Sequence, residues 1–145
     1  MEEGKDHSEF IKSLCQYCFA NLENFLERQE PLSYNKEFDS HSFPLFVTWH
    51  FDHKLRGCIG TFKADKLGKN LQEYSLISAF KDSRFPPIQK KELPHLSVDV
   101  SLLSNFEDIQ NPLDWEVGKH GIEIEFTDEK GRLYRGTYLP QVASE

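Results

Sequence analysis

The chain has 145 residues, 38% of them hydrophobic and 28% charged, and a globular chain of this length can bury about 68–70% of its unfolded surface. Its 12 Phe, 5 Tyr and 2 Trp argue against disorder of the whole chain, and no apolar run approaches the roughly 18 residues of a membrane helix. The net charge of −7 argues against a protein that binds mainly nucleic-acid phosphate.

The first predicted element is an amphipathic helix over residues 10–26, where apolar side chains recur every three or four positions. Ser8 can cap its start, and the helix should end before Pro31. After a loop, apolar and polar residues alternate over 45–51, which predicts a strand. A shorter strand over 55–62 follows a polar turn, and we expect the two strands to form a hairpin.

A second helix is predicted from Leu67 to Phe80 and beyond, with Asp65 as its cap. Its end is expected at the pair Pro86-Pro87, which would place Asp82, Ser83 and Arg84 in its last turn. Alternation then predicts three more strands, over residues 96–102, 122–126 and 133–139. The pattern predicts a single α+β domain over residues 1–145, with a mostly antiparallel sheet and two main helices.

Charge is distributed unevenly along the chain. Residues 1–53 hold four Lys/Arg and ten Asp/Glu, residues 54–91 hold nine and three, and residues 92–145 hold four and eleven. The positive charge is therefore confined to the central segment, which suits a small anionic ligand or an acidic protein partner better than a long duplex. The alternative is that Lys63, Lys66 and Lys69 only solvate a loop and a helix start.

The first residues are too acidic for a secretory or mitochondrial leader. Cys15, Cys18 and Cys58 are an odd number of cysteines, which fits reduced thiols in the cytoplasm or the nucleus. We expect an intracellular protein without a membrane segment or a structural disulfide.

The segment Arg56-Gly57-Cys58-Ile59-Gly60 is the most informative motif. On a strand, Arg56 and Cys58 point to the same face, and the glycines either leave backbone amides open to a ligand or permit a bulge. A guanidinium beside a thiol favours the thiolate, which makes Cys58 a candidate nucleophile. The alternative is an inert, buried Cys58, with Arg56 in a salt bridge to Asp52 or Asp82.

The segment Asp82-Ser83-Arg84-Phe85-Pro86-Pro87 is the second candidate. Two prolines make the end of the helix rigid, so that Asp82 and Arg84 are held in fixed directions. Arg56 and Arg84 together could then grip a carboxylate or a phosphate. Arg84 could equally complement the negative end of its helix.

His120 lies between two glycines on a predicted turn, and its imidazole suits a general acid or base if Cys58 is within reach. The alternative is a turn histidine without such a neighbour. Cys15 and Cys18 form a C-x-x-C pair inside a helical period, which favours core packing over redox chemistry. We expect no metal site and find no motif for a cofactor.

Several segments together resemble a known family. They are LFVTW at 45–49, LRGCIGTF at 55–62, KDSRFPP at 81–87, VSLLSNFED at 100–108, LDWEVG at 113–118, HGI at 120–122 and TYLP at 137–140. In order and sequence they resemble the AMME chromosomal region candidate gene 1 protein family, the AMMECR-type domain, and its eukaryotic branch above all.

The resemblance implies a two-part α+β domain with a cleft whose wall carries the Arg-Gly-Cys-Ile-Gly segment. The family has no agreed biochemical activity, some prokaryotic members are fused to or encoded beside Memo-like and radical S-adenosylmethionine proteins, and animal members are associated with the nucleus. Family domains continue for roughly 50 residues beyond the Tyr-Leu-Pro segment, the size of a further helix and strands. The resemblance therefore implies that the C-terminal part of the family domain is missing here.

Two functions remain open at this point. In the first, a cleft formed by Arg56, Gly57, Gly60 and Arg84 binds a small anionic ligand; in an enzyme, Cys58 would be the nucleophile and Asp82 or His120 would move a proton. In the second, the basic segment docks an acidic protein partner without turnover.

Overall fold

The structure is a computed structural model that describes residues 2–63, 65–105, 122–128 and 131–141. Its elements are two helices, two short 3-10 helices and five strands. They are α1 (Glu2–Arg28), a 3-10 helix (Lys36–Ser40), β1 (Leu45–Phe51), β2 (Lys54–Thr61), α2 (Leu67–Phe80), a 3-10 helix (Lys90–His95), β3 (Leu96–Asn105), β4 (Ile122–Thr127) and β5 (Leu133–Gln141). The α+β prediction is confirmed.

All five strands form one sheet in the order β2-β1-β3-β5-β4. Three of its four neighbouring pairs are antiparallel, and only β3 and β5 run parallel. The predicted hairpin of β1 and β2 is present, and the mostly antiparallel character of the sheet is confirmed. β2 lies at one edge of the sheet, which places the Arg-Gly-Cys-Ile-Gly segment at that edge.

The core lies between one face of the sheet and the two helices. Alternate residues of β1 and β3 are buried on this face, among them Leu45, Val47 and Trp49. Trp49 packs edge-on against Phe19 of α1 and donates an indole hydrogen bond to the carbonyl oxygen of Ser75 in α2. No helix in the described ranges has both the length and the apolar composition to cross a membrane.

The other face of the sheet, here called the polar face, carries one continuous row of polar residues. The row crosses all five strands in register and consists of Cys58, Thr48, Asp99, Arg135 and Glu125. Side chains alternate between the two faces of a strand, so the buried core residues and this polar row come from neighbouring positions of the same strands.

Two helix boundaries differ from the prediction. α1 begins at Glu2 instead of residue 10, because an acidic first turn can be helical without apolar periodicity. α2 ends at Phe80, so Asp82 and Arg84 lie in the turn after the helix. The cap position is occupied by Lys66, and Asp65 instead accepts a hydrogen bond from the Lys66 N–H.

Candidate functional site

Arg56 lies at an irregularity of the edge hairpin. Trp49 pairs with Gly57 and His50 pairs with Leu55, so Arg56 falls between two cross-strand pairs as the extra residue of a bulge. Its guanidinium forms a forked ion pair with Glu92, at 2.8 Å from Nε to Oε1 and 3.0 Å from Nη2 to Oε2. The two side chains are 12% and 15% exposed. Arg56 therefore ties the edge strand to the second 3-10 helix.

The two glycines of the motif are needed for close packing. A Cβ built on Gly57 would overlap the carbonyl oxygen of Ser78 in α2, and one built on Gly60 would overlap Leu45 and Phe46 of β1. Gly57 allows the helix to approach the edge strand, and Gly60 lies under the Phe46 ring. The sequence predicted that these glycines either leave backbone amides open to a ligand or permit a bulge, and a bulge is present beside Gly57.

Cys58 contacts both the neighbouring strand and the turn after α2. Its sulfur lies 3.0 Å from Thr48 Oγ1 on the polar face. Its backbone N–H donates to Asp82 Oδ2 at 2.9 Å, and its carbonyl oxygen accepts from Arg84 Nη2 at 3.4 Å. The Asp82 and Arg84 side chains thus occupy the positions that a further β-strand would take at this edge.

Asp82 is the centre of this arrangement. Its buried carboxylate accepts four hydrogen bonds, one from Cys58 N and three from Arg84, through N, Nε and Nη2. The hydrogen bonds from the Arg84 side chain and from the Cys58 N–H hold the pKa of Asp82 well below its usual range. The carboxylate therefore stays ionised and is a poor proton carrier.

Arg84 is the guanidinium that lies beside Cys58. Its side chain is 55% exposed, and its pKa is raised by the hydrogen bond to Asp82, with a smaller electrostatic contribution from Cys58. Nε and Nη2 are occupied by Asp82 and Cys58, whereas Nη1 makes no hydrogen bond to a residue that the structure describes. Arg84 therefore combines a fixed orientation with a side chain that is more than half exposed to solvent.

The structure brings Cys58 together with Asp82 and Arg84, which follow it by 24 and 26 positions in the chain. It directs the Arg56 guanidinium to Glu92 and to the Pro87 carbonyl oxygen instead. His120 lies outside the described residues, and its place beside Cys58 stays a prediction.

The other two cysteines are fully buried in α1. Burial raises the pKa of Cys15 to about 12 and that of Cys18 well above its usual value, which makes both thiols poor nucleophiles. Within the described ranges, no three His, Cys, Asp or Glu side chains are grouped so that they could hold a metal ion.

A cavity on the polar face was not predicted from the sequence. It has a volume of about 140 Å³ and is lined by His50, His53, Ser97, Asp99, Leu133 and Arg135. The alternation of β1 places His50 on this face, but the partners on β3 and β5 follow only from the strand order and the register. The residues that line the cavity could therefore not be grouped from the sequence alone.

Comparisons with known proteins agree on one family. The family model named AMMECR1 matches residues 2–145. An uncharacterised protein of Arabidopsis thaliana is 45% identical over 137 residues, covering 90% of this chain and 63% of the relative. An uncharacterised protein of Schizosaccharomyces pombe is 45% identical over 139 residues, covering 92% of this chain and 72% of the relative.

A solved structure shows the same kind of fold. The crystal structure of an uncharacterised protein from Pyrococcus horikoshii matches with a TM-score of 0.60 at 23% sequence identity, covering 89% of this chain and 68% of that chain. This chain therefore spans about two thirds of the length of these proteins, 63% for the Arabidopsis relative.

Proposed function

Since this chain belongs to the AMMECR1 family and the relatives described above are uncharacterised, we propose a function from the geometry at the β2 edge. The domain binds a small anionic ligand, a carboxylate or a phosphate ester, at the guanidinium of Arg84 beside Cys58. The observation that carries this proposal is that the Arg84 side chain is held by Asp82 and is still 55% exposed.

Asp82 orients the Arg84 guanidinium before any ligand arrives. Two side-chain hydrogen bonds, at 2.9 Å to Nε and 2.7 Å to Nη2, fix the plane of the group. A guanidinium fixed in this way loses little side-chain entropy when it binds an anion. Lys81, an exposed neighbour, and the net positive charge of residues 54–91 add attraction for an anion.

The Cys58 carbonyl oxygen accepts a hydrogen bond from Arg84, and the Cys58 thiol is the candidate nucleophile of the site. Arg84 contacts the backbone of Cys58, whereas the Arg56 guanidinium pairs with Glu92. Asp82 acts as a positioning residue for Arg84, because its low pKa keeps it ionised. If the domain is an enzyme, a group other than Asp82 transfers the proton, and His120 is the candidate for this general acid or base.

Titration of the protein with inorganic phosphate and with malonate, followed by calorimetry, tests the proposal. We expect saturable binding by the unchanged chain and at least tenfold weaker binding by Arg84→Gln, equivalent to about 1.4 kcal/mol. Lys36→Gln is the control, because it removes one positive charge from an exposed residue outside the basic segment 54–91. Equal affinities of Arg84→Gln and the unchanged chain would overturn the proposal.

Protection of Cys58 gives a second readout. Iodoacetamide should alkylate Cys58 before Cys15 and Cys18, which are buried and have raised pKa values. Saturating phosphate or malonate should slow alkylation of Cys58 only, as measured by peptide mass spectrometry. A ligand that binds without slowing this reaction would lie elsewhere on the molecule.

A second candidate function, docking of an acidic peptide, is favoured by an exposed aromatic ring in the basic segment. Phe62 is 69% exposed, and its ring packs edge-on against Phe46 with centroids 5.2 Å apart. Lys63, Lys66 and Lys69 are exposed nearby in the chain. An exposed aromatic group with three exposed lysines close to it in the chain fits a partner that has an apolar side chain among carboxylates.

A fluorescein-labelled peptide of alternating Glu and Leu tests this candidate by fluorescence anisotropy. Reversing the charge of the three lysines, or changing Phe62→Ser, should abolish binding, whereas Cys58→Ser should leave it unchanged. Binding that survives the charge reversal would exclude docking at this surface.

A further inference from the structure

The cavity on the polar face is separate from the Arg84 site. His50 of β1, His53 of the β1–β2 turn, Ser97 and Asp99 of β3, and Arg135 of β5 contribute to its lining. Neither Cys58 nor Arg84 lines it. Its volume of about 140 Å³ is below that of a typical drug-sized site and suits a small polar molecule.

The lining carries both signs of charge close together. Arg135 Nη1 lies 3.9 Å from Asp99 Oδ2, which is an ion pair but is longer than a hydrogen bond. Arg135 Nη2 also binds Glu125, at 2.7 Å. Burial, followed by the charges of Arg135 and His53, lowers the pKa of His50, so its imidazole is neutral at pH 7 and has one acceptor nitrogen.

The turn that contributes His53 has a histidine at a position where glycine is preferred. Asp52 and His53 have φ angles of 49° and 70°, the conformation of a two-residue hairpin turn in which Asn-Gly and Asp-Gly are preferred. A non-glycine residue in this region costs roughly 1–2 kcal/mol. Such strain is concentrated at functional sites in proteins, and here it falls on a residue that lines the cavity.

We propose that this cavity binds a small zwitterion of the amino-acid class. The ligand's ammonium group lies against the Asp99 carboxylate, and its carboxylate lies against the Arg135 guanidinium. A ligand of one charge would meet a like charge only a few ångströms away, whereas a zwitterion carries both of its groups at about the spacing of the Asp99–Arg135 pair. The Ser97 hydroxyl and the His50 imidazole are further hydrogen-bonding groups for the ammonium.

Calorimetric titration of the Arg84→Gln variant, which lacks the proposed anion site, with L-alanine, propionate and ethylamine tests the proposal, because the last two each keep only one of the charged groups. We expect L-alanine to bind at least tenfold more tightly than either. Asp99→Asn should weaken alanine binding at least tenfold. His53→Gly should also weaken it while leaving Tm unchanged or higher, because glycine relieves the positive φ; loss of binding then cannot be attributed to unfolding.

Other outcomes contradict the zwitterion site. Propionate or ethylamine that binds as tightly as alanine would show a site for a single charge, and no saturable binding of any of the three would exclude the site. Arg84→Gln is the control that separates this cavity from the anion site. It should leave alanine binding unchanged, and a tenfold loss would place alanine at the β2 edge instead.

Discussion

Gly57 allows α2 to pack closely against the edge strand β2, because glycine has no Cβ atom. A Cβ at this position would overlap the backbone carbonyl of Ser78, which cannot move without displacing α2. We expect Gly57→Ala to lower the free energy of unfolding by about 1–3 kcal/mol, the usual cost of overpacking, as measured by urea denaturation. Lys54→Ala, at the exposed start of the same strand, is the control and should change stability by less than about 0.5 kcal/mol.

The role of single residues could be predicted in part. Cys58, Asp82 and Arg84 were singled out from two separate motifs, and the structure joins them. The assumption of regular alternation placed the Arg56 guanidinium beside the Cys58 thiol, but a bulge interrupts the alternation at Arg56. Its partner Glu92 is 36 positions away, and no local pattern indicates such a pair.

At the level of elements, the sequence pattern located all five strands to within a few residues. The alternation is clearest in β1 and β3, because alternate residues of these two strands are buried in the core. The end of α2 was placed too late, since prolines set only the last position that a helix can reach. The helix ends earlier because Asp82 captures the Arg84 N–H, and the Phe85 N–H bonds to the Asp82 carbonyl oxygen. This is the turn-forming chemistry expected of an Asp side chain.

The ion pair of Arg56 and Glu92 connects two elements and is mostly withdrawn from water. We expect Arg56→Gln to lower the free energy of unfolding by about 2–3 kcal/mol, because it leaves a largely buried carboxylate without its cation. Lys69→Gln is the matched control: its pair with Asp65 is exposed and 3.6 Å long, so the loss should be below about 0.5 kcal/mol. Equal losses in chemical denaturation would contradict a structural role for Arg56.

On the scale of the whole molecule, the sequence predicted the fold class but not the sheet order. The parallel pairing of β3 with β5 joins segments about 36 positions apart, and such long-range pairing depends on the packing of the entire core. The polar row that crosses five strands could therefore not be predicted from the sequence. Alternation along a single strand indicates which face each of its residues occupies, but not which residues lie beside it on the neighbouring strands. The cavity at Asp99 and Arg135 was missed for this reason.

The response of the whole fold to acid follows from its paired carboxylates. The pKa of Asp82 is held well below its usual range by Arg84 and the Cys58 N–H. That of Glu92 is lowered because the hydrogen bonds from Arg56 and Gln89 outweigh the effect of burial. A carboxyl group whose pKa is lower in the folded state than in the unfolded state stabilises the fold when the pH is above the unfolded-state pKa. This contribution is lost as the pH falls through the folded-state pKa.

We therefore expect these two groups to make a constant contribution to the free energy of unfolding above about pH 5. This contribution, measured by urea denaturation, should decrease below about pH 4. Asp82→Asn should be less stable at pH 7 and should lose less stability on acidification, with a slope reduced by up to about 1.4 kcal/mol per pH unit. Asp65→Asn is the comparison: Asp65 also has a lowered pKa, mainly through the Lys66 N–H, but it is more exposed to water. If Asp65→Asn flattened the acid limb as much as Asp82→Asn, the loss of stability in acid would not be specific to the Asp82–Arg84 pair at the β2 edge.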